Sequence, residues 1–341
     1  MKKIYRLSDP SVKEKVQLMG RYEELADGVT FDWTDSAIKM KAVCAGRIEL
    51  CLHFEQTAEK QTTEKLANQY FSVYVDDTYQ ELVFHGVKDG DTITLGFTIS
   101  GEPEEHEIWV VRQKEREYGS AVLTTVALDG ELLCMEKKSA LLEFIGDSVT
   151  CAGASSKEHD ENGTRSYAFL TAKALGADWR LVCNSGFGLQ YDSGGLSGPD
   201  AVWVEAYGYE NRLRAPEHMY RCHRPADVVC IYLGCNDYHS CRQGTSHFTK
   251  EAFAESGKKL IAEIRKYQPD ARFVWLYGGI SYAAKEAATL CMEELGGEAA
   301  GYYTADLGGE YHGGTCWHPS EEEHAMMAEK LIAWFRQKRL L

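Results

Sequence analysis

No run of about 18 apolar residues occurs anywhere in this 341-residue chain, so nothing in it reads as a membrane-spanning helix. The opening, MKKIYRLSDPSVKEK, has a basic pair with no apolar segment behind it, so no signal peptide is expected and the cytoplasm is the expected location. Positive charge is scarce. Lys and Arg total 37 against 52 Asp and Glu, a formal net charge of −15 that disfavours a nucleic-acid partner and suits a neutral or cationic substrate. A disulfide framework is missing too: the 11 cysteines are odd in number, follow no repeating spacing, and include Cys51, Cys183 and Cys230 inside apolar runs. A reducing compartment is the expectation. The glycine pairs at 194–195, 278–279, 296–297, 308–309 and 313–314 read as loop punctuation, because none makes a phosphate-cradling motif. Cys222, His223, Cys230, Cys235, His239 and Cys241 crowd one region, but their spacing fits no paired zinc-ligand pattern. No metal and no cofactor is expected.

What is present is 44% hydrophobic and 11% aromatic, the balance of a globular protein, in a chain long enough for two domains. From about residue 28 to 130 apolar residues alternate: Ile48, Leu50, Leu52, Phe54; Phe71, Val73, Val75; Ile93, Leu95, Phe97, Ile99. Period two in short runs, broken by Asp76-Asp77, Asp89-Gly90 and Ser100-Gly101, is strand patterning. An antiparallel β-sandwich of the jelly-roll type is expected over 1–135. Beyond about residue 140 short apolar strands (141–146, 179–184, 227–234, 272–280) alternate with amphipathic segments at 165–177 and 249–268. In the second of these Phe253, Leu260, Ile261, Ile264 and Tyr267 share a helical face. A last helix begins at Ser320, with Glu323 placed for a capping box and Ala328, Leu331, Ile332 and Phe335 as its stripe. Strand–helix alternation gives a parallel sheet covered on both faces, expected over 136–341.

Ligands of such sheets sit beyond the carboxyl ends of the strands. There the sequence places Ser148, then Asn184, Gly186 and Gly188, then Gly234, Asn236 and Asp237, and finally His318 before the last helix. A hydroxyl, an exposed glycine backbone, a side-chain amide and an imidazole are what acyl transfer needs. Asp237 reads as structural. His239, His247, His312 and His324 read as surface or packing residues, with His312 a candidate for lining the site.

The segments GDS (Ser148), a later glycine, GCND (Gly234, Asn236) and WHP (His318) resemble the four blocks of the SGNH, or GDSL-type, hydrolases, in order, over about residues 140–341. With a β-rich first half containing YFSVYVDD and HEIWVVRQKE, the chain is similar to the two-domain sugar acetylesterases of carbohydrate esterase family 2. The resemblance implies a jelly roll followed by a flavodoxin-like parallel sheet. It implies Ser148 as nucleophile and His318 as general base and acid. It also implies an oxyanion hole of the Ser148 N–H, the Asn236 amide and a glycine N–H, for which Gly186 and Gly188 compete. Most SGNH hydrolases have an aspartate three residues before the histidine. Here Thr315 stands there, and the resemblance to family 2 implies a Ser–His dyad, with a backbone carbonyl near Thr315 holding the imidazole; Asp306 and Glu310 are the carboxylates that could contradict it. Trp317 and Tyr191 are candidate substrate walls, and Trp203, Tyr207 and Tyr209 lie in a segment (189–222) that could build the rest of the cleft. The implied partner is an acetylated oligosaccharide, with no nucleic acid or membrane. Two alternatives stay open: an SGNH esterase of other acyl specificity (short-chain lipid or aryl ester), and a non-catalytic carbohydrate-binding protein.

Overall fold

The computed structural model describes residues 2–55, 66–76, 78–156, 161–198, 201–209 and 219–341. They form two compact units, 1–137 and 138–341, dividing two residues beyond the expected 135/136 boundary.

The first unit is antiparallel throughout. Its strands are β1 (Lys3–Arg6), β2 (Gln17–Met19), β3 (Val29–Thr30), β4 (Ala37–Glu55), β5 (Asn68–Val75), β6 (Thr78–His85), β7 (Thr92–Arg112) and β8 (Ser120–Leu133). Hydrogen bonding follows the path β1-β8-β4-β7-β5-β6, with β2 on β4 and β3 on β8. The alternating residues meet in register: Ile48 faces Phe97, Leu50 faces Leu95 and Leu52 faces Ile93. They enter one core with Ile38, Phe71, Val110 and Leu123. Each such side chain taken fully out of water stabilises the unit by about 1.5–3 kcal/mol. The long strands β4 and β7, 19 and 21 residues, stay paired through a bulge between Cys44 and Gly46, the device that lets a long strand bend around its core.

The second unit has a parallel sheet of β9 (Leu141–Gly146), β10 (Asp178–Cys183), β11 (Val228–Tyr232), β12 (Arg272–Tyr277) and β13 (Tyr302–Asp306). The order is β10-β9-β11-β12-β13, the flavodoxin-like arrangement, and β9, β10 and β11 are buried along their whole length. The one acidic residue in β9, Glu143, is compensated where it lies: Arg180, its register partner on β10, donates to it, and Tyr207 Oη donates at 2.6 Å.

Five helices of eight or more residues lie between and after these strands among the described residues: α1 (Tyr167–Ala174), α2 (Cys235–Arg242), α3 (Lys250–Arg265), α4 (Lys285–Glu294) and α5 (Glu321–Lys338). Helix α1 is shorter than the expected 165–177, because Gly163–Arg165 is a 3-10 turn and Ser166 caps the Phe169 N–H. Helix α3 buries Phe253, Leu260, Ile261 and Ile264. Tyr267 lies past its end and packs its ring 4.9 Å from that of Tyr220. At α5 the expected capping box of Ser320 and Glu323 is formed, and Ala328, Leu331 and Phe335 are buried, with Ile332 half-buried. Strand order reverses at β9, so the carboxyl ends of β9 and β11 flank the position where such sheets hold ligands.

Candidate active site

Ser148 follows the last residue of β9 by two. Gly146 has no room for a side chain: a Cβ there would lie 2.0 Å from Thr150 Oγ1. Asp147 is fully buried, accepting the Val149 N–H at 3.0 Å and the Cys235 thiol at 2.8 Å. Burial pushes its carboxyl up to about 6. This leaves Ser148 half-buried at the turn, its carbonyl accepting the Gly153 N–H at 2.8 Å.

His318, 170 residues on, places Nε2 2.8 Å from Ser148 Oγ. Its Nδ1 lies 3.0 Å from the Cys316 carbonyl. A carbonyl only accepts, so Nδ1 carries the proton, and Nε2 presents its lone pair to the serine O–H. Burial lowers the imidazole's proton affinity, and the Cys316 and Thr315 carbonyls partly offset this. The carbonyl expected near Thr315 is therefore that of Cys316; the Thr315 carbonyl takes the backbone N–H of His318 at 3.0 Å. Asp306 accepts from Tyr282 Oη and the Gly308 N–H, and Glu310 lies 4.0 Å from His312. Among the described residues no carboxylate is within ion-pair distance of His318.

The backbone that brings these groups together is strained. Of the seven non-glycine residues at positive φ among the described residues, four are Ala152, Ala154, Cys316 and Trp317, in the two loops that carry serine and histidine. Each costs about 1–2 kcal/mol. At Cys316 and Trp317 (φ 51° and 64°) the double reversal brings the Cys316 carbonyl back to Nδ1 of His318. The loops are tied to each other, since the Ala154 carbonyl accepts both the N–H and the Oγ1 hydroxyl of Thr315, at 2.8 and 3.1 Å.

Candidate oxyanion donors sort by what their hydrogens already do. The Ser148 and Gly186 N–H groups have no acceptor among the described residues, and Gly186 sits at φ +81° just past β10. The Gly188 N–H donates to the Ala201 carbonyl at 3.1 Å. Gly188 is thus removed as a candidate donor; its lack of a side chain serves packing, since a Cβ would lie 1.8 Å from the Tyr191 carbonyl. Asn236, second residue of α2, gives one amide hydrogen to the Phe187 carbonyl at 2.8 Å and keeps the other. Asp237, fully buried, accepts the N–H groups of Leu189, Gln190 and Tyr191 at 2.9, 2.6 and 3.0 Å and so holds the chain after Gly186 in place.

Trp317 is 78% exposed beside the imidazole, with its ring 5.6 Å from that of His312 in an edge-to-face pair. Tyr191 is half-buried, and what the structure fixes of it is its backbone, on Asp237. Two aromatics weighed for the cleft are core instead: Trp203 is buried with Nε1 on the Gly146 carbonyl at 2.9 Å, and Tyr207 is buried on Glu143. Tyr209 bridges to Met219, and residues 210–218 of that segment lie outside the described residues. His324 is a fully buried packing residue that accepts the Tyr167 N–H at 3.3 Å. Burial, with His318 near by, pushes its proton affinity down to about 3. Within the crowd of cysteines and histidines Cys230 is buried in β11 and Cys235 is engaged on Asp147. Among the described residues no cluster of three or more His, Cys, Asp or Glu could hold a metal. The thiol–carboxyl contact escaped sequence reasoning because its partners are 88 residues apart and only the β9–β11 pairing joins them.

Residues 142–305 match the family described as GDSL-like lipase/acylhydrolase. The chain is 32% identical over 229 residues to the cellulase/esterase CelE of Acetivibrio thermocellus, covering 61% of this chain and 27% of that protein. It is 24% identical over 350 residues to an acetylxylan esterase / glucomannan deacetylase of Cellvibrio japonicus, covering 97% of this chain and 89% of that one. A second Cellvibrio japonicus protein of the same description is 26% identical, with 61% of this chain and 62% of that one covered. The chain thus spans about a quarter of the first of these relatives and about three-fifths of the last. In fold it is similar to a family two carbohydrate esterase from Cellvibrio japonicus (TM-score 0.82, 20% identity, 99% of this chain and 98% of that one). It is likewise similar to the acetyl xylan esterase Est2A of Butyrivibrio proteoclasticus (TM-score 0.83, 16% identity, 99% of each).

Proposed function

We propose that this chain, with its GDSL-like acylhydrolase domain and its family 2 carbohydrate esterase neighbours, removes O-acetyl groups from saccharides with a Ser148–His318 dyad. The observation that carries the reading is the imidazole held between two atoms: Ser148 Oγ at 2.8 Å and the Cys316 carbonyl at 3.0 Å. As Ser148 Oγ attacks the acetyl carbonyl carbon, its proton passes to His318 Nε2. The tetrahedral oxyanion takes the N–H groups of Ser148 and Gly186 and the remaining amide hydrogen of Asn236. His318 returns the proton to the departing sugar oxygen and leaves an acetyl-serine. Water, deprotonated by the same nitrogen, then attacks the acetyl carbon; the nitrogen returns that proton to Ser148 Oγ as the bond to it breaks and acetate leaves. A neutral carbonyl fixes the tautomer but stabilises the imidazolium less than an anion would.

Trp317 is proposed as a platform for a sugar face, on the strength of its exposure beside the base. Tyr191 is the weaker second candidate. The antiparallel unit is read as a jelly-roll-type accessory domain, supported by its pairing pattern and single core. A cytoplasmic setting, and with it short imported oligosaccharides as substrate, is supported by eleven cysteines that form no disulfide among the described residues.

The test is acetate release from acetylated manno- and xylo-oligosaccharides, followed by mass spectrometry. Ser148→Ala is expected to lose at least about a thousandfold in rate. Equal release by wild type and Ser148→Ala would end the proposal, and preference for butyryl and longer esters would redirect it to another acyl specificity.

A further inference from the structure

In the sequence Glu321 to Glu323 are charges at the start of the last helix, and Gly313-Gly314 reads as loop punctuation. In the structure one of those carboxylates holds the loop that presents the base. Glu323 Oε2 accepts the N–H of Gly313 at 2.7 Å and that of Ser320 at 2.8 Å, and Oε1 accepts the N–H of His312 at 3.3 Å. His312 and Ser320 bracket the stretch in which Cys316, Trp317 and His318 lie. A capping box requires only the Ser320 contact; the other two reach back across the loop.

Gly313 makes the reach possible. A Cβ there would lie 2.9 Å from Glu323 Oε2 and 3.1 Å from its carboxyl carbon. Gly314 is as tightly bound, since a Cβ would lie 2.6 Å from the Ala154 carbonyl and 2.9 Å from that of His318. The loop also carries two residues in succession at positive φ, Cys316 and Trp317. A strained turn persists only when its surroundings over-determine it, and Glu323 supplies three of the hydrogen bonds that do so.

We infer that Glu323 is a positioning residue for the reaction. Resting on the dyad reading above, its carboxylate acts on the backbone around His318 and aims the imidazole without touching it. Where a triad acid would orient the ring directly, this carboxylate orients the carbonyl that orients the ring. It contributes aim and leaves the imidazolium charge without a counter-ion.

The experiment compares kcat, KM and melting temperature for the wild type and four variants on one acetylated oligosaccharide. Glu323→Ala releases both ends of the loop and is expected to lower kcat by about ten- to a hundredfold, as misplacing a catalytic group by an ångström does, with KM little changed. Glu323→Gln keeps one oxygen able to accept from Gly313 and Ser320 and is expected to recover most of that loss. Gly313→Ala keeps the charge but displaces it, and is expected to resemble Glu323→Ala. Ala328→Gly weakens the same helix away from the loop; it is expected to lower the melting temperature and leave kcat alone. Wild-type kcat in Glu323→Ala, no recovery in Glu323→Gln, or an equal loss in Ala328→Gly would each overturn the inference. Ser148→Ala run beside them separates the two readings: if it is inactive while Glu323→Ala is fully active, only the positioning role falls.

Discussion

The two sheets use their residues in opposite ways. In the antiparallel unit the informative side chains lie along the strands: Ile48, Leu50 and Leu52 face Phe97, Leu95 and Ile93 across the register. In the parallel unit β9, β10 and β11 are buried from end to end, and the groups able to do chemistry come just after them, at Ser148, Gly186 and Asn236. A sheet that alternates spends its pattern on a face. A sheet buried on both faces has only its ends left for a ligand. On the proposed reading, stability and catalysis should be separable in this chain, and that expectation can be attacked from both sides.

The hardest blow to stability falls on the first sheet. Phe71 is fully buried in its core, and Phe71→Ala is expected to cost about 3–5 kcal/mol in denaturant unfolding of that unit. Acetate release per folded molecule should stay near wild type, and a matching fall in kcat would break the separation. Asn236→Ala is the mirror experiment. The side chain is half-buried and gives one of its two amide hydrogens to the Phe187 carbonyl. Losing the other from the oxyanion is expected to lower kcat by about 10²–10³, with a much smaller change in unfolding. A smaller effect sharpens the comparison further. Burial lowers the proton affinity of His318, and the dyad needs the ring neutral. A lower pKa means neutrality is reached at lower pH. The acid limb of kcat/KM should therefore lie below the ordinary histidine value of about 6.5, with activity rising through it toward neutral pH. A limb at or above that value would mean that the ring is more hydrated in solution than the fold implies.

Much of this was legible in the sequence, because periodicity and turn residues are local. The alternation over 28–130, the strand runs and the capping box at Ser320 all depend on neighbours a few positions apart. The candidate nucleophile, base and amide donor stood out because each comes directly after a strand or before the last helix. What was illegible depends on where hydrogen atoms go after folding. Gly186 and Gly188 look alike in GFG, yet only the second spends its N–H, on Ala201. Trp203 and Tyr207 carry no local mark of burial; pairing across the fold, with Gly146 and Glu143, puts them in the core. The carbonyl that serves His318 could be placed only to within a residue, because the two left-handed residues that aim it are a cysteine and a tryptophan, not glycine or asparagine.

The double hydrogen bond from Thr315 to the Ala154 carbonyl joins the serine loop to the histidine loop. For anyone grafting this chemistry onto another parallel sheet, the portable unit is therefore a pair of turns and the strut between them. Three transplanted side chains would arrive without the scaffold that points them at a common atom.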